Sequence, residues 1–175
     1  MKSGSRFAVA ALLAALFAAP LYLPTTAQAA DATTQQAKAG WYHTLVDADF
    51  VAKQAILPKP EGVQIIDSRP TARKYDPGHI PTALNIPDTQ FDKLADQLPK
   101  DKGTLLIFYC DGVECMLSHN SAFRAEKLGY SNVKVYAEGY PDWLAKGHIG
   151  AVSVPYLKKL MDEKVPMTLI DSRPK

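Results

Sequence analysis

Leu105-Leu106-Ile107-Phe108-Tyr109, entered through Thr104, is apolar at almost every position. A strand of that composition is stable only where both faces of its sheet are covered, which points to the centre of a parallel sheet. Shorter runs repeat the signal. Val63-Gln64-Ile65-Ile66-Asp67 follows the breaker Pro58-Lys59-Pro60-Glu61-Gly62, Ala83 to Pro87 is strand-like, and Val133-Lys134-Val135-Tyr136 is β-branched and aromatic. Helical patterns lie around and between them. Asp47 can cap a short helix through Gln54, and Asp88 can cap one whose Phe91, Leu94, Ala95 and Leu98 fall at helical spacing before Pro99 to Gly103 ends it. Ser118 to Leu128 reads as an amphipathic helix stopped by Gly129, and Gly139 to Leu144 opens another. Strand and helix alternate from Val63 to Lys146, which predicts an α/β fold with a central parallel sheet and helices on both faces. Such sheets bind ligands at the carboxyl ends of their strands.

Cys110 sits at that end of the most strand-like run, beside a helix start. A thiolate is the reactive form of cysteine, and free N–H groups at a helix N-terminus favour it. The loop Asp111, Gly112, Val113, Glu114, Cys115, Met116, Leu117 is expected to curl its amides around the Cys110 sulfur as an anion nest and lower its pKa. The alternative is a buried cysteine ending a core strand as a small hydrophobe. Cys115 is either a resolving thiol or a helix-start cysteine that packs inward and never reacts. Asp111 and Glu114 are expected to oppose thiolate formation and to repel anionic donors.

The first 29 residues read as a secretory signal peptide, with Lys2 and Arg6 ahead of the apolar stretch Phe7 to Phe17 and cleavage after Ala29 in Ala27-Gln28-Ala29. The apolar stretch falls short of the roughly 20 residues a spanning helix needs, so no stable membrane anchor is expected after cleavage. The protein is therefore expected to be exported, to a periplasm where disulfides persist. Without the leader, 18 Lys+Arg face 18 Asp+Glu, and no basic cluster interleaves with aromatics. That argues against nucleic acid and leaves small molecules or proteins as partners. Two cysteines do not make a disulfide scaffold, and zinc would need more ligands than the nearby His119, so neither metal nor other cofactor is expected.

Five segments, Ile66-Asp67-Ser68-Arg69, Tyr75 to Ala83, Phe108-Tyr109-Cys110, Gly129-Tyr130-Ser131-Asn132-Val133 and Glu138 to Trp143, resemble a rhodanese domain in order and near spacing. The resemblance runs from about Val46 to Gly147. It implies a small α/β domain with a central parallel sheet, and a Cys110 that accepts a sulfane sulfur as a persulfide from thiosulfate, a polysulfide or a protein donor. A thiol or protein acceptor would then remove it. Asp67 and Arg69 are implied to pair beneath the loop.

The loop departs from the commonest rhodanese pattern. Gly112 follows Cys110 by two positions instead of three, and the loop is about two residues longer. The related phosphatases and arsenate reductases carry an arginine six positions after the cysteine to grip an oxyanion, and Met116 stands there. A nearer resemblance is to an exported rhodanese-like subset with a second cysteine in the loop, which Cys115, Ser118, Asn120 and Ala122 fit, with Met116 in an aromatic's place.

The expected organisation is a signal peptide at 1–29, a flexible leader at 30–40 and the rhodanese-like domain at 41–147. Leu169 to Pro174 repeats Ile65 to Pro70 after a helical pattern at Val154 to Lys164, so 148–175 reads as the start of an incomplete second repeat, loosely packed on the first domain. His79 is expected to fix a turn, Trp143 to lie in the core, and His119 and Arg124 to sit on a helix's outer face. Three functions stay open: a sulfurtransferase working through Cys110, a thiol redox or sulfur-carrier module using Cys110 and Cys115, and a non-catalytic binding domain.

Overall fold

Successive side chains of a strand point to opposite faces of its sheet, and the central strands here are apolar on both. A computed structural model describes residues 38–171. The expected signal peptide, the leader as far as residue 37 and the repeat residues Ser172 to Pro174 lie outside the described residues. Four strands, β1 (Val63–Asp67), β2 (Leu84–Asn85), β3 (Leu105–Tyr109) and β4 (Val133–Tyr136), form one parallel sheet in the order β2-β1-β3-β4. In register, Ile65 faces Ile107 and Asp67 faces Tyr109 across β1 and β3, while Phe108 faces Val135 across β3 and β4. Leu45 adds a parallel bridge to Val135.

Alternation then builds two cores. Ile66, Leu106, Phe108, Val133 and Val135 pack on one face with Tyr42 and Phe91 and with Ala122 and Ala125 of helix α3 (Leu117–Lys127). Ile65, Ile107, Tyr109 and Tyr136 pack on the other with Ala48 and Val51 of α1 (Ala48–Ala52) and Trp143 of α4 (Gly139–Ala145). Helices therefore cover both faces, as the sequence pattern requires. Asp47 caps α1 through the Phe50 N–H at 2.9 Å.

The helix expected from Asp88 to Leu98 is broken. It is a 3-10 turn at Asp88–Gln90, a four-residue helix α2 (Phe91–Leu94) and a second 3-10 turn at Ala95–Gln97. Asp88 makes no side-chain cap; its carboxylate accepts from Ser121 Oγ at 3.1 Å and its carbonyl from Arg124 Nη1 at 2.7 Å. Tethering to α3 thus replaces capping, and the tighter turns bring both Phe91 and Leu98 into the core.

Beyond the sheet, His79 and Ala151 exchange main-chain hydrogen bonds at 2.9 and 2.8 Å, and Ser153 caps helix α5 (Val154–Asp162). Residues 165–171 form no strand, and Leu169 and Ile170 are 67% and 81% exposed. Among the described residues no helix is long and apolar enough to cross a membrane.

Candidate active site

β3 ends at Tyr109 and delivers Cys110 into the interior, with none of its surface exposed. The Cys110 thiol donates to the Cys115 carbonyl at 3.1 Å and lies 3.2 Å from Ser118 Oγ. Between the cysteines the chain turns through Gly112, whose φ of 118° suits glycine, and the Cys115 N–H closes the turn on the Gly112 carbonyl at 2.8 Å. The Cys110 carbonyl accepts from the Tyr140 N–H at 2.9 Å, which ties the loop to the start of α4.

That tie depends on Gly139. Its φ is +65°, and a β-carbon there would stand 2.2 Å from the Cys110 oxygen. A left-handed conformation alone costs a non-glycine residue roughly 1–2 kcal/mol, and relieving the clash adds to it. Gly139→Ala is therefore expected to lower the urea midpoint by the equivalent of at least about 2 kcal/mol and to displace the thiol loop. A midpoint equal to that of the unsubstituted protein would show that the loop and α4 are not rigidly joined.

Both cysteines are free, and their thiols are shifted in opposite directions. The hydrogen bond with Cys115 and then burial hold the Cys110 thiol well above its ordinary value. Cys115 moves the opposite way, down to about 6, because Cys110 donates to it and the main-chain N–H groups of Asp111 and Leu117 face its sulfur. The loop does curl its amides around a sulfur, but that sulfur belongs to Cys115. The expectation of a lowered Cys110 is corrected for this reason: Cys110 lies under the loop, buried, with its thiol donating to the Cys115 carbonyl and Ser118 Oγ beside it.

The floor of the site is ionic. Arg69 binds Asp67 through Nε at 2.9 and 3.1 Å and through Nη2 at 2.6 Å, and Nη2 also donates to the Gly78 carbonyl at 2.7 Å. Its Nη1 reaches up to Asp111 at 3.3 Å, so the buried pair grips the first residue of the loop. Tyr109 Oη donates to Asp67 at 2.7 Å and accepts from the Ile80 N–H at 3.0 Å.

Residues 52–146 match the family described as Rhodanese-like domain, more than half of the chain. The chain belongs to the rhodanese-like domain family. An HTH-type transcriptional regulator of Mycobacterium tuberculosis is 31% identical over 102 residues, 57% of this chain and 43% of that protein. This chain thus spans less than half of the regulator's length. A rhodanese domain-containing protein of Drosophila melanogaster is 29% identical over 105 residues, covering 51% of this chain and 89% of its own. The crystal structure of a single-domain sulfurtransferase from Saccharomyces cerevisiae superposes with a TM-score of 0.50 at 23% identity, over 59% of this chain and 90% of that one, and shares the fold.

In this rhodanese-like domain the loop opens on a cleft of about 770 Å³, walled by Asp111 to Cys115 on one side and by Glu138, Pro141, Asp142 and Ala145 on the other. Cys115 lines it; Cys110 does not. Three of the carboxylates at the mouth have cationic partners, and Asp111 still acts to raise the Cys115 thiol, as expected. Asp111 pairs with Lys74 at 3.0 Å as well as with Arg69, Glu114 with Lys38, and Asp142 with Lys146 at 3.0 Å. Residues 38–40, assigned to the flexible leader, form the turn that brings Lys38 there.

Other expectations resolve individually. His79 Nδ1 holds the Tyr75 carbonyl at 2.8 Å and its ring stacks on Tyr75, a turn-fixing role. His119 is buried, not outward-facing: its Nδ1 accepts from the Tyr42 N–H at 2.9 Å, Trp41 stacks on it, and burial pushes it down to about 4, so it is neutral. Ser118 and the α4 wall were not singled out as site residues. A hydroxyl one residue into the helix after a loop cysteine, and the Glu138 to Trp143 segment already noted for its resemblance, were the available signals. Among the described residues no group of three or more His, Cys, Asp or Glu side chains is arranged to hold a metal.

Proposed function

We propose that this domain is a sulfurtransferase that moves a sulfane sulfur from thiosulfate, a polysulfide or a protein persulfide to a thiol or protein acceptor, and that the sulfur is carried as a persulfide on Cys110. The observation that carries the reading is a pair of free cysteines at the carboxyl end of the central strand, Cys110 buried 3.1 Å from the Cys115 carbonyl and Cys115 lining an open cleft with its thiol held below its ordinary value. A thiolate facing an open cleft can take sulfur from a donor, and the Ser118 hydroxyl and N–H beside Cys110 suit a persulfide anion. The cations that match Asp111 and Glu114 support anionic donors. The N-terminal pattern around Lys2, Arg6 and Ala29 supports a periplasmic site of action.

The nearness of the two free cysteines, with Cys110 Sγ 3.1 Å from the Cys115 carbonyl, favours a second reading, a redox module that closes a Cys110–Cys115 disulfide. Mass spectrometry after treatment with a polysulfide separates the two. A gain of about 32 Da on the peptide holding both cysteines, reversed by dithiothreitol and absent from the Cys110→Ser/Cys115→Ser double variant, is the expected result. A loss of about 2 Da with no sulfur gain selects the redox module, and an unmodified peptide refutes both.

A further inference from the structure

Resting on the sulfurtransferase reading, we infer that the two thiols act in sequence, with Cys115 taking the sulfane sulfur from the donor and handing it inward to Cys110. Access decides the order. Cys110 is 0% exposed and its sulfur is covered by the Cys115 carbonyl and Ser118 Oγ at 3.1 and 3.2 Å. A donor in solution has no approach to it. Cys115 is partly exposed and walls the cleft, with Glu138 and Pro141 opposite. The loop amides of Asp111 and Leu117 face the Cys115 sulfur, where negative charge is stabilised before a donor arrives.

The chemistry balances without an added oxidant or reductant. The Cys115 thiolate attacks the outer sulfur of R–S–SH. A bond forms between Cys115 Sγ and that sulfur, the donor's S–S bond breaks, and its electron pair leaves on R–S⁻, which takes the proton to become R–SH. Cys115 now holds –S–S⁻ against the Cys110 thiol. Cys110 Sγ then attacks the outer sulfur while its proton passes to that same sulfur, giving Cys110–S–SH, and the Cys115–S bond breaks to restore the Cys115 thiolate. Cys110 Sγ lies 3.1 Å from the Cys115 carbonyl, so the two residues are near enough for this transfer to need no intermediary. The sulfane sulfur keeps its oxidation state throughout, and discharge to an acceptor thiol retraces the steps. Burial of Cys110 then keeps the stored sulfur away from adventitious thiols.

The test is rapid mixing of the full chain with glutathione persulfide, acid quench and peptide mass spectrometry. Cys110→Ser is expected to load Cys115 and to stall there, with the added sulfur held on that peptide position. Cys115→Ser and Cys115→Ala are expected to load Cys110 at least about 100-fold more slowly, because the remaining thiol is protonated and buried. Far-UV circular dichroism matching that of the unsubstituted protein in either Cys115 variant secures the comparison. Loading of Cys110 at an unchanged rate in the Cys115 variants overturns the sequence of thiols and leaves the sulfurtransferase reading standing. Failure of the unsubstituted protein to gain sulfur on either cysteine overturns that reading itself.

Discussion

Asp67→Ala is expected to destabilise the domain by about 3–5 kcal/mol, read as a lower urea midpoint with an unchanged slope. Asp67 is fully buried and its carboxylate takes the Arg69 guanidinium, the Arg69 N–H at 2.9 Å and the Tyr109 hydroxyl. Removing it strands a cation that is itself almost wholly buried, leaving the Gly78 carbonyl and the longer contact to Asp111 as its hydrogen-bond partners in place of a bidentate carboxylate. Tyr109 also loses its acceptor, and burial still holds that hydroxyl above its ordinary pKa, so it stays a neutral donor without its carboxylate partner. The cost comes from the unpaired charge more than from the attraction lost. The double variant Asp67→Leu/Arg69→Met, which removes both charges and keeps the volume, is accordingly expected to lose less than the single variant. If the two were equally unstable, packing and not charge would be what the pair supplies.

The reach of sequence reasoning followed the physics of each element. β1 and β4 are legible to the residue, and β3 and α3 to within one, because a buried parallel strand is rich in apolar and β-branched residues and Gly129 ends its helix at a positive φ of 91°. The segment after Asp88 was misjudged as one helix because the spacing of Phe91, Leu94 and Leu98 reports burial on one side and not the backbone that achieves it. The competing hydrogen bonds come from Ser121 and Arg124, more than thirty positions away. The same limit applied at the site. A cysteine after the central strand was legible, but which sulfur the loop amides face depends on how Gly112 turns the chain, and that placed Cys115 outside and Cys110 beneath. The pairing of Asp111 with Lys74 and of Glu114 with Lys38 was not legible, because those partners lie far away in sequence.

The lowering of the Cys115 thiol predicts a large and specific pH dependence. Alkylation of Cys115 by iodoacetamide, followed by peptide mapping, is expected to rise about 100-fold between pH 4 and pH 8 with its midpoint near 6, since the rate follows the thiolate fraction. The sign is fixed by the cause. Hydrogen bonds from Cys110 and from the Asp111 and Leu117 N–H groups stabilise the charged form, so the thiolate persists as pH falls until it is protonated near 6. An ordinary cysteine would still be almost wholly protonated at that pH. Cys110→Ala removes the largest of these contributions and is expected to move the midpoint upward, toward the range of an unperturbed thiol, while leaving the amide contacts in place. Cys110 in the unsubstituted protein is expected to stay unalkylated across the same range, because it is buried and holds its proton. A midpoint near 8 for Cys115, or faster labelling of Cys110 than of Cys115, would show that the proton rests on the outer sulfur instead.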